Sequence, residues 1–289
     1  MSYDDAIRGC RLRGEWGRAL RLLDEMRAAD VAPGARTYTA AIAVCAAGGQ
    51  PERALALLRE MPERGLKPTL EAYTAVISAG GTDGGGDRVG AKRATRRRAA
   101  GSMRIDEAAA THTKALLEEM RSVGISPSAV SYSISILALC RACDVDGALA
   151  LLREMQAKAD SIEETTEPAR TKSPRQRLRW DTDPSIRKWE PDVRAYTSLI
   201  SAAGKAARPR LARELLDEMR ERGVAPNAVT FTAAIVAVGR AQDAAGALAL
   251  LDQMRAADLA PTEACLVACV EACAKRGDAG DADRALEVH

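Results

Sequence analysis

At 289 residues and a formal net charge of +2, the chain carries no basic excess, so any positive surface must come from arrangement. Apolar residues make up 47% and aromatics only 3%, which favours helices packed closely through Ala and Leu. No apolar run approaches the roughly 18 residues of a membrane helix, no signal-peptide core follows Met1, and seven cysteines without framework spacing point to a reducing compartment.

In chain order, the first predicted helix carries Tyr3 and Ile7, and the second the stripe Leu20, Leu23 and Met26, ending before Pro33. The same hairpin returns as Tyr38 and Ile42 followed by Leu55, Leu58, Met61 and Pro68. Later copies are marked by Tyr73, Met120 and Pro127, by Tyr132, Met155 and Pro191, by Tyr196, Met219 and Pro226, and by Phe231, Met254 and Pro261. All five tyrosines and the only phenylalanine therefore occupy one slot of a 35-residue period. An aliphatic four residues after each aromatic shares its helical face: Ile7, Ile42, Ile77, Ile136, Ile200 and Ile235, then Val270 beside Leu266 in a final copy. Gly65, Gly124 and Gly223 stand where left-handed C-caps belong, with proline blocking continuation.

One such hairpin cannot bury its apolar face alone, so an all-α solenoid of stacked helix-turn-helix repeats is expected. The repeats are placed at 1–34, with its start truncated, then 35–69, 70–128, 129–192, 193–227, 228–262 and, incomplete, 263–289. Insertions of 24 and 29 residues, near 81–104 and 157–189, interrupt the third and fourth. The first is glycine-rich and basic ("GGTDGGGDRVGAKRATRRRAAGSM") and is read as a mobile loop or an electrostatic arm. The second ("EETTEPARTKSPRQRLRW") lacks helical patterning and is read as disordered. The anchor aromatic can pack helices or stack on a base; its constant spacing to the aliphatics favours packing.

"VTFTAAIVAVGRAQDAAGALALLDQMRAADLAPT" and "VRAYTSLISAAGKAARPRLARELLDEMRERGVAPN" strongly resemble pentatricopeptide repeats, and the match covers nearly everything outside the insertions. The resemblance implies a single-stranded RNA-binding protein, usually in a mitochondrion or chloroplast, that reads about one base per repeat. It further implies that the residue after the aromatic and the residue after the proline read a base together. Those pairs are Thr39 with Thr69, Thr74 with Ser128, Ser133 with Asp192, Thr197 with Asn227 and Thr232 with Thr262. Hydroxyl plus Asn resembles an adenine reader and hydroxyl plus Asp a guanine reader, so a purine-rich RNA is expected. Asp4 with Gly34 departs from the pattern and receives no base. Thr, Ser, Asn and Asp are also common helix caps, which is the plain alternative. The slot two before the aromatic is expected to sandwich the base: Val130 and Val229 suit this, Arg36 and Arg194 can stack, and Glu71 does not fit.

Arg141, Lys205, Arg240 and Lys275 close successive first helices, as a phosphate track or as helix-dipole partners. "GGGDRVGAKRAT" is not a phosphate loop, since Lys92 does not follow its last glycine directly. The Cys140 and Cys143 pair stands alone, Cys265, Cys269 and Cys273 follow one helix face without a histidine, and His112 and His289 form no pair, so no catalytic residue, metal or cofactor is expected. The recurring "DEM" and "EEM" segments are read as solvated helix faces. The expected function is sequence-selective RNA binding in organellar RNA processing, stability or translation. The alternatives are a protein-binding scaffold, with further protein partners, or the repeat arm of a protein-only ribonuclease P type nuclease. Starting and stopping within repeats, the chain reads as a fragment.

Overall fold

The structure, a computed structural model, describes residues 3–81, 102–166, 189 and 191–276. These residues form thirteen α-helices and no strand. They are α1 (Tyr3–Arg13), α2 (Trp16–Ala28), α3 (Ala35–Ala47), α4 (Pro51–Glu63), α5 (Leu70–Gly81), α6 (Ser102–Ser122), α7 (Ala129–Arg141), α8 (Val145–Thr166), α9 (Val193–Lys205), α10 (Pro209–Glu221), α11 (Ala228–Arg240), α12 (Ala244–Ala256) and α13 (Glu263–Arg276). The chain divides into two compact bodies, Met1–Ala138 and Leu139–His289. In the first, α1 packs on α3 and α3 on α5, each backed by its own second helix; in the second, α9, α11 and α13 stack in the same way. Each body is a helical-repeat solenoid.

The sequence sets both ends of these helices. Asp192 Oδ1 accepts the Ala195 backbone N–H at 2.8 Å and Asn227 Oδ1 that of Thr230 at 3.0 Å, capping α9 and α11. Pro51 and Pro209 open α4 and α10, where a missing N–H costs nothing. Gly65, Gly124 and Gly223 take the left-handed conformation after the second helices, at φ of 71°, 79° and 74°. In the turn inside the repeat, Gly14 and Gly49 do the same, but Cys143, Ala207 and Gln242 hold that slot at φ of 58°, 55° and 62°. An alanine pays about 1–2 kcal/mol for a left-handed backbone. Ala207→Gly is therefore expected to raise the unfolding free energy by about 1 kcal/mol. A shifted denaturant midpoint at unchanged slope would show it; a lower midpoint would mean the turn is unstrained.

The core is made by the periodic slots. Tyr38, Tyr73, Tyr132, Tyr196 and Phe231 are buried, with Ile42, Ile77, Ile136, Ile200 and Ile235 beside them. The rings' polar tips are satisfied by side chains of the second helices, mostly at the seam with the preceding repeat. Arg27 Nη2 donates to Tyr38 Oη at 2.9 Å and to Glu60 Oε1 at 2.8 Å; Tyr73 donates to Glu119 at 2.8 Å. Gln156 Nε2 donates to Tyr196 Oη at 2.9 Å and also to Glu218, which accepts from Tyr196 at 3.1 Å and pairs with Arg153 at 2.7 Å. Phe231 has no hydroxyl, and at its seam Arg220 lies over the ring at 5.2 Å and donates to Gln253 at 2.9 Å. A neutral amide thus replaces the Glu where the phenol is missing.

Three expectations need correction. The Glu of the "DEM" and "EEM" segments is not simply solvated at these seams: the Glu60 and Glu218 side chains are only 25% and 17% exposed and tie adjacent repeats together. Burial raises the Glu60 carboxyl, but hydrogen bonds to Arg64 and Tyr38 and the charges of Arg27 and Arg64 outweigh it and leave it below the usual carboxylate value. The segment near 157–189 is also not wholly irregular, because α8 continues to Thr166. Asp160 on that extension pairs with Arg222 at 3.3 Å, and Lys158 lies 5.3 Å from the Trp189 ring. Likewise Gly81 ends α5 and residues 102–104 open α6, so the segment near 81–104 is shorter than expected. The remainders, 82–101 and 167–188, lie outside the described residues.

Candidate nucleic-acid interface

The residues singled out after each aromatic lie in the second turn of a first helix, and those after each proline cap the next one. Stacking of the first helices brings the two together. Thr39 Oγ1 donates to the Ala35 carbonyl at 2.8 Å and meets Thr69 Oγ1 at 3.0 Å, so Thr69 is the donor between them. Thr69 Oγ1 also accepts the Ala72 N–H at 3.2 Å. Thr232 and Thr262 meet at 3.1 Å in the same way. The plain alternative of helix capping is thus realised, and the same residues also converge in pairs.

A third side chain bridges two further pairs and adds to the Thr232 and Thr262 contact. Thr74 Oγ1 meets Ser131 Oγ at 2.9 Å, and Ser131 Oγ meets Ser128 Oγ at 3.0 Å. Thr197 Oγ1 lies 2.7 Å from Thr230 Oγ1, which donates to Asn227 Oδ1 at 3.0 Å. Cys265 Sγ donates to Thr232 Oγ1 and meets Thr262 Oγ1, both at 3.2 Å. Even Asp4, which fits no base assignment, accepts from Thr37 Oγ1 at 2.7 Å, and Thr37 Oγ1 takes the Gly34 N–H at 3.2 Å. Ser133 lies on α7 in the first body and Asp192 at the start of α9 in the second. The bridging residues Thr37, Ser131, Thr230 and Cys265 escaped the sequence reading, although each directly precedes an aromatic slot.

Around these pairs the surface is open. Val130 is 52% exposed and Val229 63%. Arg36 and Arg194, in the same slot, are also exposed, as is Glu71. Arg141, Lys205 and Arg240 end α7, α9 and α11 with exposed side chains, and none forms an ion pair among the described residues. Lys275 falls in the last turn of α13, and its side chain lies outside the described residues.

Cys140 and Cys269 behave as packing groups. Burial pushes the Cys140 thiol up to about 12 and the Cys269 thiol up to about 11, so neither supplies thiolate near neutral pH. Cys143, by contrast, is exposed. No group of three or more metal-ligating side chains occurs among the described residues.

Family models described as "Pentatricopeptide repeat domain" and "PPR repeat" match residues 21–83 and residues 2–31 and 130–158. A third, the "Pentacotripeptide-repeat region of PRORP", matches residues 177–288. The chain belongs to the pentatricopeptide repeat family. No curated protein sequence matches this pentatricopeptide repeat protein. Among solved structures, Arabidopsis thaliana nuclear protein-only RNase P 2 is 13% identical and superposes at a TM-score of 0.60, covering 86% of this chain and 44% of that one. The PPR domain of Arabidopsis thaliana protein-only RNase P 1, in complex with tRNA, is 12% identical with a TM-score of 0.53, covering 78% of this chain and 90% of the domain. The pentatricopeptide repeat protein PPR10, in complex with an 18-nt psaJ RNA element, is 18% identical with a TM-score of 0.42 over 99% of this chain. The chain spans 44% of the length of PPR10. The likenesses to the two RNase P proteins show a shared helical-repeat fold.

Proposed function

We propose that the chain binds single-stranded RNA in a base-selective way and acts by binding, not catalysis, on transcripts of a mitochondrion or chloroplast. The observation that carries this is the pairing of the residues after the aromatic with those after the proline, repeated beside exposed Val130, Val229 and Arg194. Read 5′ to 3′, the second to sixth repeats favour purine, purine, G, A, purine.

Asn227 gives the sharpest test. Its Oδ1 is held by Thr230, while its amide nitrogen makes no hydrogen bond among the described residues and offers two donors, suited to adenine N1. Asn227→Asp keeps the cap and turns that free end into an acceptor, suited to the guanine N–H donors. The preference should shift from A toward G at one position, by about 1 kcal/mol, in titrations of RNAs differing only there. An unchanged ranking would reduce Asn227 to a cap.

The cations supply an independent test. Lys205→Ala should weaken all RNA sequences alike and lower the slope of log affinity against log salt by about 0.7. A duplex control should bind more weakly, and an unchanged slope would leave Lys205 as a helix-dipole partner.

The match of residues 177–288 to the repeat region of protein-only RNase P proteins favours a second reading, in which the array is the RNA-holding arm of such a nuclease. Tighter binding of a folded tRNA precursor than of any unstructured RNA would select it.

A further inference from the structure

The slot immediately before each aromatic carries none of the markers of the 35-residue pattern, yet in four repeats its side chain enters the wiring of the pair. Thr37, Ser131, Thr230 and Cys265 are all buried, and each connects the two members of one pair. Where the slot is Ala72 there is no bridge and Thr39 meets Thr69 directly; Thr232 and Thr262 also meet directly, with the Cys265 thiol added beside them. A buried hydroxyl between two others has one proton to give, so it imposes a direction on the whole chain of bonds.

At Thr230 that direction can be followed atom by atom. Its Oγ1 donates to Asn227 Oδ1, so the bond to Thr197 must carry the Thr197 proton. Thr197 then turns only lone pairs outward, while Asn227 turns outward only its amide donors. At Ser131 the direction is reversed. Thr74 Oγ1 donates to the Leu70 carbonyl, so it accepts from Ser131, which in turn accepts from Ser128.

We propose that this slot is a third specificity-determining position, in which a positioning side chain fixes the donors and acceptors that the reading pair shows to a base, Thr230 doing so for Thr197 and Asn227. The proposal rests on the base-reading function above. An outward acceptor beside outward donors complements the amino group and ring nitrogen of adenine. Without the Thr230 hydroxyl, the backbone N–H still caps on Asn227 Oδ1 and the helix keeps its start. The Thr197 proton is released, however, to turn outward or to its own helix, as in Thr39, Thr74 and Thr232. Asn227 Oδ1 also loses one of the two bonds that hold it inward, so the amide is free to show the base an acceptor as well as its donors.

The test compares Thr230→Val, which removes the hydroxyl at nearly constant shape, with Thr230→Ser, which keeps it. Each protein is titrated with single-stranded RNAs carrying A, G, C or U opposite this repeat, and its thermal melt is recorded. The Ser variant should retain the parent's base ranking. The Val variant should lose roughly three- to tenfold of the A-over-G discrimination there, with discrimination at other positions unchanged. A parent that discriminates and a Val variant that discriminates equally would overturn this proposal while leaving base reading intact. A parent that ranks no base at this position would overturn base reading and the proposal with it. If the Val variant does not fold, Ser131→Ala against Ser131→Thr puts the same question to Thr74 and Ser128, which Ser131 joins, and only the Ala variant should lose discrimination.

Discussion

Replacing Tyr196 with Ala should destabilise the second body by about 3–5 kcal/mol, the cost of removing a large buried ring and leaving a cavity. Tyr196 is fully buried on α9, and its hydroxyl joins Gln156 of the preceding repeat to Glu218 of its own. Burial and then the Glu218 charge push its phenol well above the usual value, so it remains a neutral donor. Tyr196→Phe should cost much less, about 1 kcal/mol, because Gln156 and Arg153 still satisfy Glu218. Denaturant unfolding followed by helical circular dichroism separates the two variants. Because repeat arrays can unfold in segments, a second, earlier transition for the Ala variant would count as the expected loss. A Tyr196→Ala protein as stable as its parent would show that the ring does not hold the repeats together.

Gly239→Ala should cost about 2 kcal/mol although it adds a single methyl group. A Cβ at Gly239 would lie 2.8 Å from the Ala268 carbonyl oxygen and 3.2 Å from Ala268 Cβ, so α11 and α13 would have to part. The same crossing recurs one period earlier, where a Cβ at Gly204 would come within 2.7 Å of Ala237 Cβ. Gly9 on α1 is the control. A Cβ there meets nothing within 4 Å, so Gly9→Ala should stabilise by about 0.5–1 kcal/mol through helix propensity. If both alanines stabilised, the first helices would stand further apart than the structure places them.

Much of this was legible in the chain itself. The 35-residue spacing of aromatic, Met and proline determined the helical hairpins, the buried face of each helix and the left-handed glycines at Gly65, Gly124 and Gly223. All of these depend on neighbours within one or two helical turns, which residue order encodes directly. The tertiary structure decided the rest. Thr197 and Thr230 are 33 residues apart, and Gln156 and Glu218 are 62, across the second insertion. Neither bond follows from helical periodicity; each requires the distance and angle at which one hairpin rests on the next, and no single repeat carries those. The extension of α8 to Thr166 escaped for a related reason: with no apolar stripe to mark it, its contacts include the charge pair between Asp160 and Arg222, formed with a later hairpin, and Lys158 against Trp189.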